Sequence, residues 1–186
     1  MFQNAQLFIL PSDNWKVGKV FLLTGEVVKD YPIRYDIKKN IIEIKAKTEV
    51  KVLSAGRVKE INWLGDDGNL EILRNTKIYN NFNEVGFFTI LDEGRKSFVK
   101  KKTLEVIEVN YVNALDIGEQ ERAIVKKDKY FVVDNNMIIS LKKSKRHMLK
   151  LFATKANVVK QYAKNNNLSY KKNSDVIKIF DYYNSL

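Results

Sequence analysis

From Tyr31 to Ile37 the chain alternates without a break: Tyr31, Ile33, Tyr35 and Ile37 are apolar or aromatic, while Pro32, Arg34 and Asp36 are not. A period of two places the first set on one face of an extended strand. Lys38-Lys39-Asn40 predicts a turn, because Asn tolerates left-handed backbone angles and lysines prefer water. The alternation returns in Ile42, Ile44 and Ala46, in Val50 and Val52 after Lys47-Thr48-Glu49, and in Ile61 and Trp63. On this reading Tyr31, Tyr35 and Trp63 belong to the apolar face and so to the core. Neighbouring strands of this kind form an antiparallel meander with one oily and one charged side. The oily side requires a cover.

Upstream, Val17 to Leu23 is dense enough in Val, Phe and Leu for a strand, and Thr24-Gly25 turns it into Glu26-Val27-Val28. Two readings of the first ten residues stand side by side. Leu7 to Leu10 is a first strand stopped by Pro11, or Phe2 to Gln6 is what remains around a removed leader's cleavage site. Downstream, Ser54-Ala55-Gly56-Arg57 predicts a bulge or tight corner, and Gly65-Asp66-Asp67-Gly68-Asn69 a hairpin turn. Leu70 to Tyr79, with the Asn-rich stretch after it, reads as a less regular edge. Phe87 to Leu91 and Ser97 to Val99 flank a turn at Asp92-Glu93-Gly94-Arg95, and Leu104 to Val109 adds a strand. Asn110 to Lys127 shows little periodicity and is expected as a surface loop. Tyr130 to Val133 and Met137 to Ile139 form a last hairpin around Asp134-Asn135-Asn136.

Near Ser140 the period changes to 3.6. Met148, Leu149 and Phe152 share one helical face. Thr154 is positioned to cap a second helix with Ala156, Val159, Tyr162 and Ala163 inward, and Asn165-Asn166-Asn167 ends it. Ser174 is positioned to cap a third, with a stripe of Val176, Ile177, Phe180 and Tyr183. Adjacent Tyr182 and Tyr183 cannot both face inward. Helices this short do not stand alone in water, so they must dock, and the oily face of the meander is the expected place. The expected fold class is therefore α+β: a mainly antiparallel sheet, meander-, sandwich- or barrel-like, over residues 1–140. A basic helical segment over 141–186 closes it, and the two form one cooperative unit.

Composition sharpens this picture in three places. With 186 residues, 45% of them hydrophobic, the chain is ample for a packed core. Cys is absent, which excludes disulfides, thiolate metal sites and a cysteine nucleophile, and a single His147 excludes multi-histidine metal centres. His147 sits among cations and reads as a surface histidine of a basic helix. No P-loop, G-x-G-x-x-G, G-x-S-x-G or H-E-x-x-H motif is present, so the expectation is a non-enzyme without cofactor or metal. The pair Asp66-Asp67 lacks the spacing of a calcium loop, and a turn accounts for it.

Charge is the third. The formal net charge is +11, and from Met137 onward 11 basic residues face 2 acidic ones. The first 136 residues are nearly balanced, with 22 basic and 20 acidic. The densest run is Lys142, Lys143, Lys145 and Arg146, with Lys171-Lys172 and Lys100-Lys101-Lys102 as lesser ones. The first six of these residues from the C-terminal segment, Lys142, Lys143, Lys145, Arg146, Lys171 and Lys172, are the candidate contacts for an anion or polyanion. The competing interpretation is a solvated helix start, at which basic residues oppose the helix dipole by only fractions of a kcal/mol. No RRM, KH, helix-turn-helix or zinc-finger signature accompanies the charge.

Gly25 in a strand turn, Tyr35-Asp36, Asn40-Ile41-Ile42, Phe87-Phe88 before Asp92-Glu93-Gly94, and a tail with Leu149, Phe152, Tyr162, Asn166 and Asp181-Tyr182-Tyr183-Asn184 form one set. In this set the chain resembles a family of small exported proteins of Gram-negative bacteria whose function is uncharacterised. The resemblance implies export with a removed signal peptide and a β domain closed by C-terminal helices. It supplies no activity, cofactor or site. The resulting expectation is a non-enzymatic binding or assembly module of the periplasm or cell surface, with a protein or cell-envelope component as partner. The alternative is a cytoplasmic nucleic-acid-binding protein that uses the basic C-terminal segment. No run of about 18 apolar residues exists to span a membrane as a helix.

Overall fold

A computed structural model describes residues 15–65, 67–109 and 121–186, and the segment 1–14, with its strand-or-leader question, lies outside the described residues. Among the described residues ten strands form one open, wholly antiparallel sheet. They are β1 (Lys16–Leu22), β2 (Val27–Asp36), β3 (Ile41–Ala46), β4 (Glu49–Ser54), β5 (Val58–Leu64), β6 (Leu70–Asn75), β7 (Phe87–Asp92), β8 (Lys96–Val109), β9 (Glu121–Asp134) and β10 (Met137–Ser140). Three helices follow: α1 (Lys145–Leu151), α2 (Ala156–Asn165) and α3 (Asn173–Asn184). The α+β class is as the pattern predicts. The sheet is not closed into a barrel.

The strand order β10-β9-β8-β7-β6-β5-β1-β2-β3-β4 is a meander with one exception: β1 sits between β5 and β2. A 3₁₀ turn at Ala55–Arg57, capped by the Ser54 hydroxyl, carries the chain from edge strand β4 back to β5. Asparagines make several of the turns, with φ of 55° at Asn40, 49° and 61° at Asn135 and Asn136, and 53° at Asn167. Glu26–Val28 and Tyr31–Ile37, which read as separate strands, are largely one. Asp30, at φ 65°, is the extra residue of a bulge, since Gly18 faces Tyr31 and Lys19 faces Lys29.

The meander buries its oily side by curling on itself. Val20, Ile33, Ile42, Ile44, Val58, Ile61, Leu73 and Phe87 form one core, and Tyr35 packs edge-on against Phe87 at 5.0 Å between centroids. The helices therefore dock elsewhere than on the Tyr31–Trp63 face, because the curl has already removed that face from water. Tyr31 is exposed, since its neighbour across the ladder is Gly18, which offers no side chain to pack on. Val50 and Val52 are also exposed. The two-residue turn at Lys47-Thr48 pairs Ala46 with Glu49 and Ile44 with Lys51, so the inward residues of β4 are Glu49, Lys51 and Leu53. An exposed ion pair on this edge strand, Lys51 to Glu49 at 3.4 Å, lies on the same sheet face as Ile44 of the neighbouring strand and discourages pairing with another chain.

Where β7 to β10 lie side by side they are covered on both faces, which explains adjacent apolar residues such as Phe87-Phe88, Phe98-Val99 and Tyr130 to Val133. On one face Phe88, Val99, Phe131 and Ile138 lie under Tyr79 and Phe82, from the segment that links β6 to β7. On the other, Phe98 and Val132 lie under Met148, Phe152, Val159, Ala163, Val176, Ile179, Phe180 and Tyr183 of the helical lid. β6 is interior to the sheet rather than an edge. Its pattern is muted because polar residues sit on both faces: Glu71, on the side of Leu73, accepts from the Trp63 indole at 2.6 Å, and Arg74, on the opposite side, meets Glu60 at 2.9 Å. Of the loop expected over Asn110 to Lys127, residues 121–127 are strand, paired with the far half of β8, and 110–120 lie outside the described residues. Thr154 and Ser174 do not cap their helices: α2 follows a 3₁₀ turn at Ala153–Lys155, and α3 starts one residue before Ser174. No helix among the described residues is long and apolar enough to cross a membrane.

Candidate anionic-partner surface

Residues 141–144 lead from β10 into α1. Ser144 caps α1, its hydroxyl accepting from His147 N–H at 3.3 Å, and the Lys142 N–H donates to His147 Nδ1, also at 3.3 Å. The imidazole is thus a local backbone partner. Lys143 turns back over the Tyr130 ring of β9, its Nζ 3.9 Å from the centroid, and donates to Asn173 Oδ1 at 2.9 Å. Asn173 Nδ2 in turn donates to Tyr130 Oη at 2.7 Å. This triangle brings together two basic runs that lie far apart in sequence. Asn173 opens α3 directly after Lys171-Lys172, so both runs meet at one corner of the lid.

Lys142, Lys145, Arg146, Lys171 and Lys172 are exposed there, and Lys143 is half-buried by its ring contact. The corner does not include Lys100-Lys101-Lys102. Lys100 pairs with Asp128 at 3.5 Å. Lys101 is buried at 8% exposure, bonded to Glu84 at 2.5 Å and seated over Phe82. Its bond holds the Glu84 carboxyl below the usual range.

The two halves of the molecule treat their cations differently. In the sheet, Lys16, Arg34, Arg74, Lys96, Lys100, Lys101, Lys127 and Lys129 all meet carboxylates. In the lid, none of the 11 basic residues after Met137 is ion-paired among the described residues. Of the lid's 2 acids, Asp175 accepts from Ser169 N–H at 3.0 Å and Asp181 faces the β7–β8 hairpin. The outward positions of α1 and α2, with Lys171-Lys172 just before α3, therefore present an uncompensated positive field, which steers anions and holds them weakly at each charge, while α3 itself sets Lys178 against Asp175 and Asp181.

The aromatic residues are otherwise engaged. Tyr162 and Tyr182 stack on each other at 3.9 Å and 7° between planes, and Tyr183 is core. Asp67 accepts from Asn69 N–H at 3.0 Å and from its side chain at 2.9 Å, as a hairpin residue does. Among the described residues no three His, Asp or Glu side chains are grouped to hold a metal ion. The chain matches no protein-family model, no curated protein and no solved structure.

Proposed function

We propose that this protein is a non-enzymatic binding module of the periplasm or cell surface, and that its helical lid rests against an anionic envelope surface. The observation that carries this reading is the contrast in charge pairing: many cations of the sheet meet carboxylates, whereas none of the lid's 11 basic residues is ion-paired among the described residues. Near an anionic lipid surface each such residue contributes about 1 kcal/mol, within a screening distance of about 8 Å at physiological salt. Five exposed basic residues flank the corner where Lys143 meets Asn173.

Nucleic acid is the weaker reading. A single strand needs free ring faces to stack on, and Tyr162 and Tyr182 each give one face to the other. The test is co-sedimentation near physiological salt with phosphatidylglycerol vesicles, phosphatidylcholine vesicles and a generic DNA duplex. We expect saturable binding to the anionic vesicles alone. The combined substitutions Lys142→Gln, Lys145→Gln, Arg146→Gln, Lys171→Gln and Lys172→Gln should weaken it by at least about a hundredfold. Lys143 is spared because it holds Tyr130 and Asn173 in place. Saturable duplex binding without vesicle binding, lost in the five-site variant, would replace this reading with nucleic-acid binding.

A further inference from the structure

The last residue of α3 fastens the lid to the sheet. Asn184 Nδ2 donates to Asp92 Oδ2 at 2.8 Å and to the Lys96 carbonyl at 3.1 Å, and the Lys96 N–H donates to Asn184 Oδ1 at 3.1 Å. The side-chain amide therefore bridges both arms of the β7–β8 hairpin. Gly94 at the hairpin tip makes the approach feasible, because a Cβ there would stand 2.8 Å from Asn184 Cβ and collide with Cγ and Nδ2.

The charges around this clasp are arranged against Asp92. Arg74 of β6 is held by Glu60 and Glu93, and the Lys96 amine of β8 is held by Asp134 of β9. Arg95 lies exposed on the turn. From the lid, Asp92 feels the negative charge of Asp181, one turn back along α3, and of the carbonyl end of that helix. The partner it bonds is a neutral amide.

We propose that Asn184, Asp92 and Asp181 form an acid-tightened latch for the helical lid: a proton on Asp92 holds the end of α3 to the β7–β8 hairpin, and its loss loosens that end. Burial pushes the Asp92 carboxyl up to about 6; the Asn184 bond opposes the rise and Asp181 adds to it. The folded state thus holds this proton more tightly than the open state, whose carboxyl titrates near the ordinary 3.8. The extra hold is complete below about pH 4 and is lost as pH rises through about 6. Between pH 5 and 7.5 that linkage amounts to a factor of about ten in the opening equilibrium, and screening at a half-exposed carboxyl lowers it to about three- to tenfold.

The test is amide hydrogen exchange of Asp181 to Ser185 in the whole protein at pH 5 and 7.5, corrected for intrinsic rates. The wild type should open about three to ten times more readily at pH 7.5. Asp92→Asn should show no difference and be as well protected at pH 7.5 as the wild type is at pH 5. Asp181→Asn should reduce the difference, and Gly94→Ala should loosen the end of α3 at both pH values. The proposal is overturned if the wild type is equally protected at both pH values, if its pH dependence survives in Asp92→Asn, or if Gly94→Ala leaves protection unchanged.

Discussion

Phe180 lies at the centre of the interface between lid and sheet, so Phe180→Ala measures what that interface is worth. The side chain is fully buried; its ring stacks on Phe98 of β8 at 5.3 Å and 14°, and meets Phe152 edge-on at 5.2 Å. Truncating a buried Phe costs about 3–5 kcal/mol, from lost transfer free energy plus the cavity left behind. Two aromatic contacts worth about 0.5–1.5 kcal/mol each place this site in the upper part of that range. The helices on either side of the cavity are short, so partial collapse should return some of the loss, and we expect about 4 kcal/mol. For a chain of this size that corresponds to a fall in Tm of about 8–16 °C. Urea unfolding followed by both tryptophan fluorescence and far-ultraviolet circular dichroism checks it, with the midpoint lowered and the slope unchanged. Trp63 of β5 and Trp15, next to β1, lie on the meander side of the sheet and not on β8 or β9 beneath the lid, so coincident transitions mean that lid and sheet unfold together. A loss below about 1.5 kcal/mol, or a helical signal that melts while fluorescence stays native, would refute a shared core.

Two further substitutions probe the sheet. Asn75 is fully buried, with Nδ2 donating to the carbonyls of Ala55 at 2.9 Å and Val58 at 2.5 Å, and Oδ1 accepting from Lys77 N–H at 2.8 Å. Asn75→Ala should cost about 2–4 kcal/mol in urea unfolding, and Asn75→Asp more, because a carboxylate oxygen would then face two carbonyls. Gly18→Ala would press a Cβ against the Asn62 carbonyl and to within 2.9 Å of Trp63 Cβ. It should cost about 1–3 kcal/mol and alter the tryptophan emission, whereas an unchanged spectrum and midpoint would contradict the close approach of β1 and β5.

The elements that were legible in the sequence are those fixed by local chemistry. Asn40, Asn135, Asn136 and Asn167 all adopt the left-handed angles for which Asn is suited, and each turn falls where the pattern places it. The stripe of α3 is legible because three of its four positions are buried by period alone. What period cannot convey is parity across a turn. One residue more or fewer between Ala46 and Val50 exchanges the faces of β4, and the valines, although the stronger strand formers, end in solvent. Nor does it convey which apolar surface meets which. The meander and the helices each advertise an oily face, yet the meander, bulged at Asp30 and with β1 inserted between β5 and β2, curls over its own. The helices are left with β8 and β9, whose adjacent apolar residues Phe98-Val99 and Phe131-Val132 reflect cover on both faces.

The candidate surface was legible in number but not in kind. Lys100-Lys101-Lys102 and Lys142-Lys143 look alike as runs, and only tertiary pairing separates them: β8 has Asp128 across the ladder and Glu84 above it, while the lid has nothing comparable. A signal for this does exist in the sequence. Between Asp134 and Asp175 the chain contains no acidic residue at all. α1 and α2 therefore have no Asp or Glu three or four positions from their basic residues and cannot neutralise them along their own surface, whereas Lys178 of α3 lies three residues from both Asp175 and Asp181. Neutralisation would have to come from another element, and the part of the sheet beneath the lid offers Phe98, Tyr130 and Val132. Apolar contact below and the absence of acids alongside together direct the charge outward. The lid's field is therefore a consequence of how it is held to the sheet, and a partner that binds it need not disturb the core.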